Sequence, residues 1–537
     1  RYGYIWDEEA KFYYYPHGPV ARVELGEEKV QGIDQAYTLQ GWLKGINSSG
    51  LSSNKDIGGD GKQNTLFANV APDVSSMTFD YYNGDYEPVS GSNPFYAHLN
   101  NGLNNSSPNQ YNGRIRQSVI HNAAFPDKTG MARAYRYDQL GRLVQSEAYT
   151  KSGNIWSKSP GYHTSYQYDA NGNIISLERF ARNSLMDDLN LHYKPDNNQL
   201  VRVTDQINDQ EFDNDIDNQQ QGNYSYDYEG KLIKDQSAGL LNIRWSGRDL
   251  IRHVTKSGGQ SIYYDYDASG QRIMKTIDAP GREDDKVIYY VRGADDKILA
   301  EYEYQIQVDS TFISDYHIQG NKRIGLINMD TTLESMSSQF ISQIRGRKQY
   351  SIKDHLDNVL MTVSDRKIRD TSQVGASRFI AQVKSATSYY PYGSSFSDRR
   401  FGSEKYDFGF QGKQRDDELK GHSNSYYFEK RMYDSRLGRW LSVDPMTKEM
   451  PNLSAYMAMS GDPINREDPD GAEDMDKVKK SIDYGNIIWG EVTNNVVQLK
   501  GVMESNSSSN KVYGFNSALN QMRDISRKWT NLSGGIA

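Results

Sequence analysis

"YRYDQLGRLVQSEAYT", residues 135–150, is the stretch that decides the fold. Tyr135 and Tyr137 stand two apart, so on a strand both rings fall on one face. Asp138 can accept hydrogen bonds from amides ahead of it, and Gly141 can take positive φ, so Asp-x-x-Gly reverses the chain. Leu143 onward then reads as a second strand. The unit is a β-hairpin with tyrosines on one face.

The unit recurs. "YQYDANGNI" begins at Tyr166, "YSYDYEGKL" at Tyr224 and "YDYDASGQR" at Tyr264, each reading Tyr-x-Tyr-Asp-x-x-Gly. "YKPDNNQLV" from Tyr193 is a worn copy and "IRWSGRDLI" from Ile243 a half-copy. Successive starts lie 31, 27, 31, 19 and 21 residues apart, a spacing that marks a repeat architecture. One hairpin cannot bury its apolar face alone, so neighbours must stack.

Composition agrees with an extended β array. Of 537 residues only 36 % are hydrophobic, mean hydropathy is -0.81, and 40 residues are Tyr. Tyr buries a ring while keeping a polar tip, which suits thin sheets. There are no cysteines, which excludes disulfides, thiolate metal sites and Cys nucleophiles. No apolar run reaches the roughly 18–20 residues of a membrane span. The net charge of -8 with interspersed signs argues against nucleic acid as a partner. Arg1 is preceded by no Met, so the chain reads as a piece of something longer.

Five segments follow from texture. Residues 1–43 are strand-like, with "AKFYYYPHGPVARVEL" a hairpin turning around Pro16–Pro19. Residues 44–115 are rich in Gly, Asn and Ser and read as long loops or an insertion. Residues 116–349 carry the repeats. Within them, acidic 205–222 reads as a solvated loop whose Asp spacing does not match an EF-hand, and 336–345 reads as a short polar connector of helical character. Residues 350–471 form a distinct block, and texture changes sharply after Gly471. There Met475, Val478 and Ile482 fall at helical spacing, so 472–537 is expected to be a helical tail.

The hairpins resemble YD repeats, also called Rhs repeats, and 350–471 is similar to the Rhs repeat-associated core. Its landmarks run in order: "KDHLDNV" (353–359), "YYPYG" (389–393), "FQGKQRDDE" (410–418), "YYFEKRMYDSRLGRWLSVDP" (426–445) and "NREDPDG" (465–471). Where the family has Gly in the first landmark, this chain has Asp357. The resemblance implies a mainly β fold: a hairpin ribbon coiled into a hollow cocoon or barrel shell, with the core segment as an inner plug. Trp440 and Leu441 would anchor that plug, and Arg431, Arg436 and Arg439 would pair with acids or carbonyls inside it.

The resemblance also implies a function. Family members hold a variable C-terminal effector, often a toxin, inside the shell and are secreted or on the bacterial surface. The tail 472–537 would be that encapsulated partner, with secretion machinery or a target cell surface as outer partners. Many members cut themselves at an aspartyl-protease-like site of two Asp-Pro motifs. The matching positions are Asp444-Pro445 and Asp468-Pro469, 24 apart, preceded by Arg439. Two nearby carboxylates cannot both ionise cheaply, so one can act as base towards water and the other as acid, with Arg439 orienting a carboxylate. Cleavage would fall shortly after Gly471. The motifs depart from Asp-Pro-x-Gly-Leu: one reads Asp-Pro-Met-Thr-Lys, the other Asp-Pro-Asp-Gly-Ala. The competing reading is that Asp444 and Asp468 only cap turns ahead of Pro.

Other chemistry is weak. The nine His are scattered without zinc spacing, His355 reads as a hydrogen-bonded turn residue, and no nucleophile elbow or phosphate loop appears. No cofactor and no metal is expected, and self-cleavage is the only enzymatic activity in view. The rival function is a surface adhesin whose tyrosines stack on glycans or grip another protein, without proteolysis.

Overall fold

The computed structural model describes residues 7–52, 54–88, 95, 103, 106–125, 130–153, 155–207, 212, 215–281, 285–333, 344–370, 378–402, 406–472 and 474–476. Two large antiparallel sheets dominate. One has 13 strands, from Ala10–Tyr14 to Leu200–Asp205, and the other has 14, from Tyr224–Tyr226 to Ser395–Phe401. Strand order follows chain order, except that Ile155–Lys158 is a side branch on Leu143–Ser152. This is a meander of hairpins, as the repeat predicts.

Each repeat closes the same way. One carboxylate oxygen of Asp138 accepts the Leu140 and Arg142 amides, both at 2.9 Å. Asp169, Asp227, Asp267 and Asp354 do the same with the amides two and four residues on. The residue three after the Asp has positive φ: Gly141 at 81°, Gly172 at 85° and Gly230 at 85°. Asp357 fills that place at 63°. Asp tolerates the left-handed region better than most residues, so the departure from Gly leaves the turn intact.

A second device joins one repeat to the next. The first Tyr of each pair, Tyr135, Tyr166, Tyr224 or Tyr264, is buried in the main core. The second sends its hydroxyl to the backbone carbonyl just after the preceding turn. Tyr168 donates to Leu143 at 2.7 Å, Tyr193 to Ile174 at 2.7 Å and Tyr266 to Ile251 at 2.8 Å. Trp245 makes the equivalent bond to Leu232 at 2.8 Å, and Tyr389 to Val359 at 2.9 Å. Tyr137 donates to Ile115, which marks "YNGRI" (111–115) as a further worn repeat that the sequence alone does not reveal.

The ribbon coils back on itself. Lys348 pairs with Asp7 at 2.8 Å and Glu9 at 2.5 Å, Tyr350 donates to Glu9, and Arg345 pairs with Glu28 at 2.6 Å. Residues 406–472 lie against the buried faces of both sheets as the plug, whereas the first part of the 350–471 block is not plug: Lys348–Lys353, Val359–Arg369, Phe379–Tyr389 and Ser395–Phe401 are the last four strands of the second sheet. Lys420 bridges Asp235 and Asp434, each at 2.7 Å, and Tyr264 and Lys275 both reach Asp416 at 3.0 Å. Arg114 pairs with Asp462 at 2.9 Å, and Leu232 donates its amide to the Leu441 carbonyl. The plug has its own small sheet of Gln414–Arg415, Ser425–Tyr427, Met432–Asp434 and Arg439–Trp440. Trp440 packs with Phe410, Tyr426, Phe428 and Tyr433, while Leu441 joins the main core.

Three local expectations change. The 44–115 stretch contributes strand Ser75–Asp80 to the first sheet, its side chains all buried. Asp205 ends a strand, and Asp215, Ile216 and Gln219 are buried, so the described part of 205–222 is not a freely solvated loop. The Ile216 amide caps Asp187, and Gln219 pairs with Val203. Met475–Asp476 is a short strand against Arg466–Glu467 instead of the start of a helix. Val478, Ile482 and the rest of the tail lie outside the described residues, as do 336–343 of the connector.

Candidate functional site

The site is built on "RMYDSRLGRW" and the turn "DPDGA". Arg431 sits between two strands of the small sheet, and its guanidinium lies over the Trp440 ring at 4.1 Å. One nitrogen, Nη2, reaches Asp444 Oδ2 at 2.9 Å and Asp468 Oδ2 at 3.3 Å. The two acids singled out from sequence are therefore brought to one point. Their spacing of 24 residues is spanned by a loop that returns through Ala455 and Tyr456, whose carbonyls accept the amides of Asp444 and Trp440.

Arg439 is not at that point. Its guanidinium donates to Asn173 Oδ1 at 3.4 Å and to the Asn198 carbonyl, and lies over Tyr456 at 4.3 Å and Tyr193 at 5.1 Å. It ties the plug to the shell. The third plug arginine, Arg436, donates to the Asp215 carbonyl at 3.4 Å. Arg431 therefore holds the place at the acids that the motif pattern gives to Arg439.

The backbone of the turn is held tightly. Asp468 Oδ1 accepts the amides of Gly471 at 2.7 Å and Ala472 at 3.1 Å. Arg431 Nε donates to the Gly471 carbonyl. The peptide bond between Gly471 and Ala472 thus has its oxygen on Arg431 and its nitrogen on Asp468. Gln411 accepts the Asp468 amide at 2.8 Å, and Lys413 donates to the Pro469 carbonyl. Gly471 has φ of 86°, and a Cβ there would meet the Phe428 carbonyl at 2.9 Å, so no other residue fits without displacement.

Burial dominates the electrostatics. It pushes the Asp468 carboxyl up, against the pull of Arg431 and the Gly471 amide. It pushes the Arg431 guanidinium down, against Asp444 and Asp468. A third acid, Asp474, is pushed up to about 6 by burial and then by Asp468, while Ser460 donates to it at 2.8 Å. Asp474, Asp444, Thr447, Ser454 and Ser460 line a polar cavity of about 20 Å³, room for one water. Sequence reasoning missed Asp474 because it lies outside both Asp-Pro motifs.

His355 donates through Nε2 to the Ile464 carbonyl, 2.7 Å away, in a turn as expected. Among the described residues no helix is long and apolar enough to cross a membrane.

The family model described as the teneurin YD-shell matches residues 97–321. Salivary gland surface protein 1 of Aedes aegypti is 24 % identical over 344 residues, covering 62 % of this chain and 8 % of that protein. Toxin subunit YenC1 of Yersinia entomophaga is 35 % identical over 94 residues, covering 17 % and 9 %. The solved TcdB2-TccC3 structure without its hypervariable C-terminal region aligns with a TM-score of 0.51 at 17 % identity, covering 86 % of this chain and 19 % of that one. The chain thus spans less than a tenth of both curated relatives. Repeated Tyr-Asp hairpins, two sequentially ordered sheets, an inner plug and these matches together support an Rhs/YD-shell protein.

Proposed function

We propose that this shell encloses its own C-terminal segment as cargo and frees it by cutting the Gly471–Ala472 peptide bond. One of the similar proteins, YenC1, is a toxin subunit, which supports a delivered effector and an extracellular setting. The observation that carries the reading is the convergence of Asp444, Asp468 and the Gly471–Ala472 bond on Arg431.

Hydrolysis consumes one water. Its oxygen adds to the Gly471 carbonyl carbon while a carboxylate, Asp444 beside the polar cavity, takes the proton. Arg431 Nε stabilises the charge that develops on the carbonyl oxygen. The proton taken by that carboxylate passes to the Ala472 nitrogen as the C–N bond breaks, while Asp468 Oδ1 holds the N–H of the same nitrogen. The products are a carboxylate at Gly471 and a free amine at Ala472.

The adhesin reading draws less support. The paired tyrosines that open the repeats are spent on the core and on links between repeats, and so do not offer free faces to a sugar.

The test is the intact mass of the denatured chain, wild type against Asp468→Asn and Asp444→Asn. Wild type splits into a shell ending at Gly471 and a tail starting at Ala472, and both variants stay whole. A wild-type chain that keeps its full mass makes the acids turn caps and rules out release by this route.

A further inference from the structure

The segment 47–74 leaves strand Leu43–Ile46 and returns over strands Val20–Leu25 and Gln31–Tyr37 to enter Ser75–Asp80. It carries Asp56, Asp60 and Asp73, and beneath it lies Asp34. One carboxylate oxygen from each of Asp34, Asp56 and Asp60 lies within 4.8 Å of the other two. Asp73 closes the group from the end of the segment, its carboxyl against Asp56 and near Asp60. Asp34, Asp60 and Asp73 are buried, Asp60 at 1 % exposure and Asp73 at 9 %.

The protein's own cations do not satisfy this cluster. Arg22 divides its guanidinium among Asp34, Asp60 at 2.6 Å and Glu24 at 3.3 Å, and lies over the Phe67 ring at 3.8 Å. Lys29 is on Glu24 at 3.1 Å. Among the described residues no Lys, Arg or His pairs with Asp56 or Asp73. Two oxygens, Asp60 Oδ2 and Asp73 Oδ1, are buried without any hydrogen-bond donor. An unmet buried carboxylate oxygen is costly. The backbone is shaped to admit this crowding: a Cβ on Gly32 would collide with the Arg22 guanidinium and Asp60 Oδ2, and one on Gly58 with the Arg22 guanidinium and Asp34 Oδ2.

We infer that Asp34, Asp56, Asp60 and Asp73 form a calcium site that clamps the 47–74 segment onto the first sheet of the shell. The donors are all oxygen, which selects a hard cation over zinc or copper. Irregular carboxylates drawn from a strand and a long loop suit calcium's flexible six-to-eight-fold coordination better than the octahedron magnesium demands. A divalent ion would supply the charge that Arg22 leaves unmet and give the two orphan oxygens a partner. The inference is independent of cleavage at Gly471.

The test uses the full chain, passed through a chelating resin and titrated with calcium chloride by calorimetry, with magnesium and zinc chloride in parallel. One calcium per chain is expected, with magnesium at least tenfold weaker. Asp56→Asn and Asp73→Asn should each weaken binding tenfold or more. Calcium should also slow proteolysis within 47–74 of the wild type and not of the variants. No calcium uptake by a chain whose circular dichroism is native would overturn the inference. So would uptake that is equal in wild type and both variants, or a preference for zinc. Asp73→Asn raising the melting temperature without any calcium effect on wild type would make the cluster merely unrelieved repulsion.

Discussion

Arg431 and Asp468 are 37 residues apart in sequence and 3.3 Å apart in space. Both are buried, and each is pushed by burial towards its neutral form and held back by the other. Such a pair contributes little net stability compared with apolar packing, but breaking it strands a buried charge. Its value is positional: it fixes the turn 468–472 against the small sheet of the plug.

Removal of Arg431 tests that role. Arg431→Ala should cost about 3–5 kcal/mol by leaving buried carboxylates unpaired, read as a fall in the denaturant midpoint, and should stop cleavage. Arg439→Ala should also destabilise the shell, since it removes contacts to Asn173, Asn198, Tyr193 and Tyr456. Arg439→Lys should leave cleavage at the wild-type rate. If Arg439→Lys stops cleavage and Arg431→Lys does not, the roles are reversed.

Asp474 gives the site a pH dependence. Its folded value of about 6 lies above that of an unfolded Asp. The folded chain therefore binds this proton first, so the contribution to stability is present near pH 4 and lost as pH rises through about 6. Asp474→Asn should flatten that slope and stabilise by about 1 kcal/mol at pH 8, a value reduced for partial exposure. Melting temperatures at pH 5, 6, 7 and 8 decide it; parallel curves for wild type and variant would remove Asp474 from the account.

The Tyr ladder predicts a periodic cost. Tyr168→Phe deletes the bond to Leu143 and a 2.9 Å contact with Tyr392, and should cost about 1–2 kcal/mol. Tyr228, at 96 % exposure in the Asp227 turn, should accept Phe with no measurable change. Equal costs at the two positions in urea unfolding would show that the ladder is incidental.

Gly471→Ala should be disproportionately harmful for one methyl group. Positive φ and a 2.9 Å approach to the Phe428 carbonyl together cost about 1–3 kcal/mol locally. The local opening also moves the Gly471 carbonyl off Arg431, so cleavage should slow at least tenfold. An unchanged cleavage rate measured by intact mass over time would separate the bond from the site.

The repeat hairpins were legible because their determinants are local. Tyr-x-Tyr sets a strand face, and Asp with Gly three residues on sets a reversal, all within one short unit. "YNGRI" was not legible, since Tyr111 is exposed and only Tyr137's bond to Ile115 shows what the segment does. Residues 205–222 and 75–80 misled for a related reason: polar residues there are buried against partners distant in sequence, such as Asp187 and Val203.

At the site the sequence by itself brought the two acids into view through the resemblance of their Asp-Pro motifs to the family's, because those motifs are short-range patterns, and it marked Gly471 only as a boundary. It determined that arginines serve the plug, but not which one reaches the acids. Arg431, Arg436 and Arg439 differ only in the direction the small sheet gives each side chain, and that direction is set by packing on Trp440 for one and on Tyr193 and Tyr456 for another. Asp474 and the four-aspartate cluster were decided by tertiary structure alone. Charge and burial act through space over a few ångströms, and the chain must coil before residues tens of positions apart share that distance.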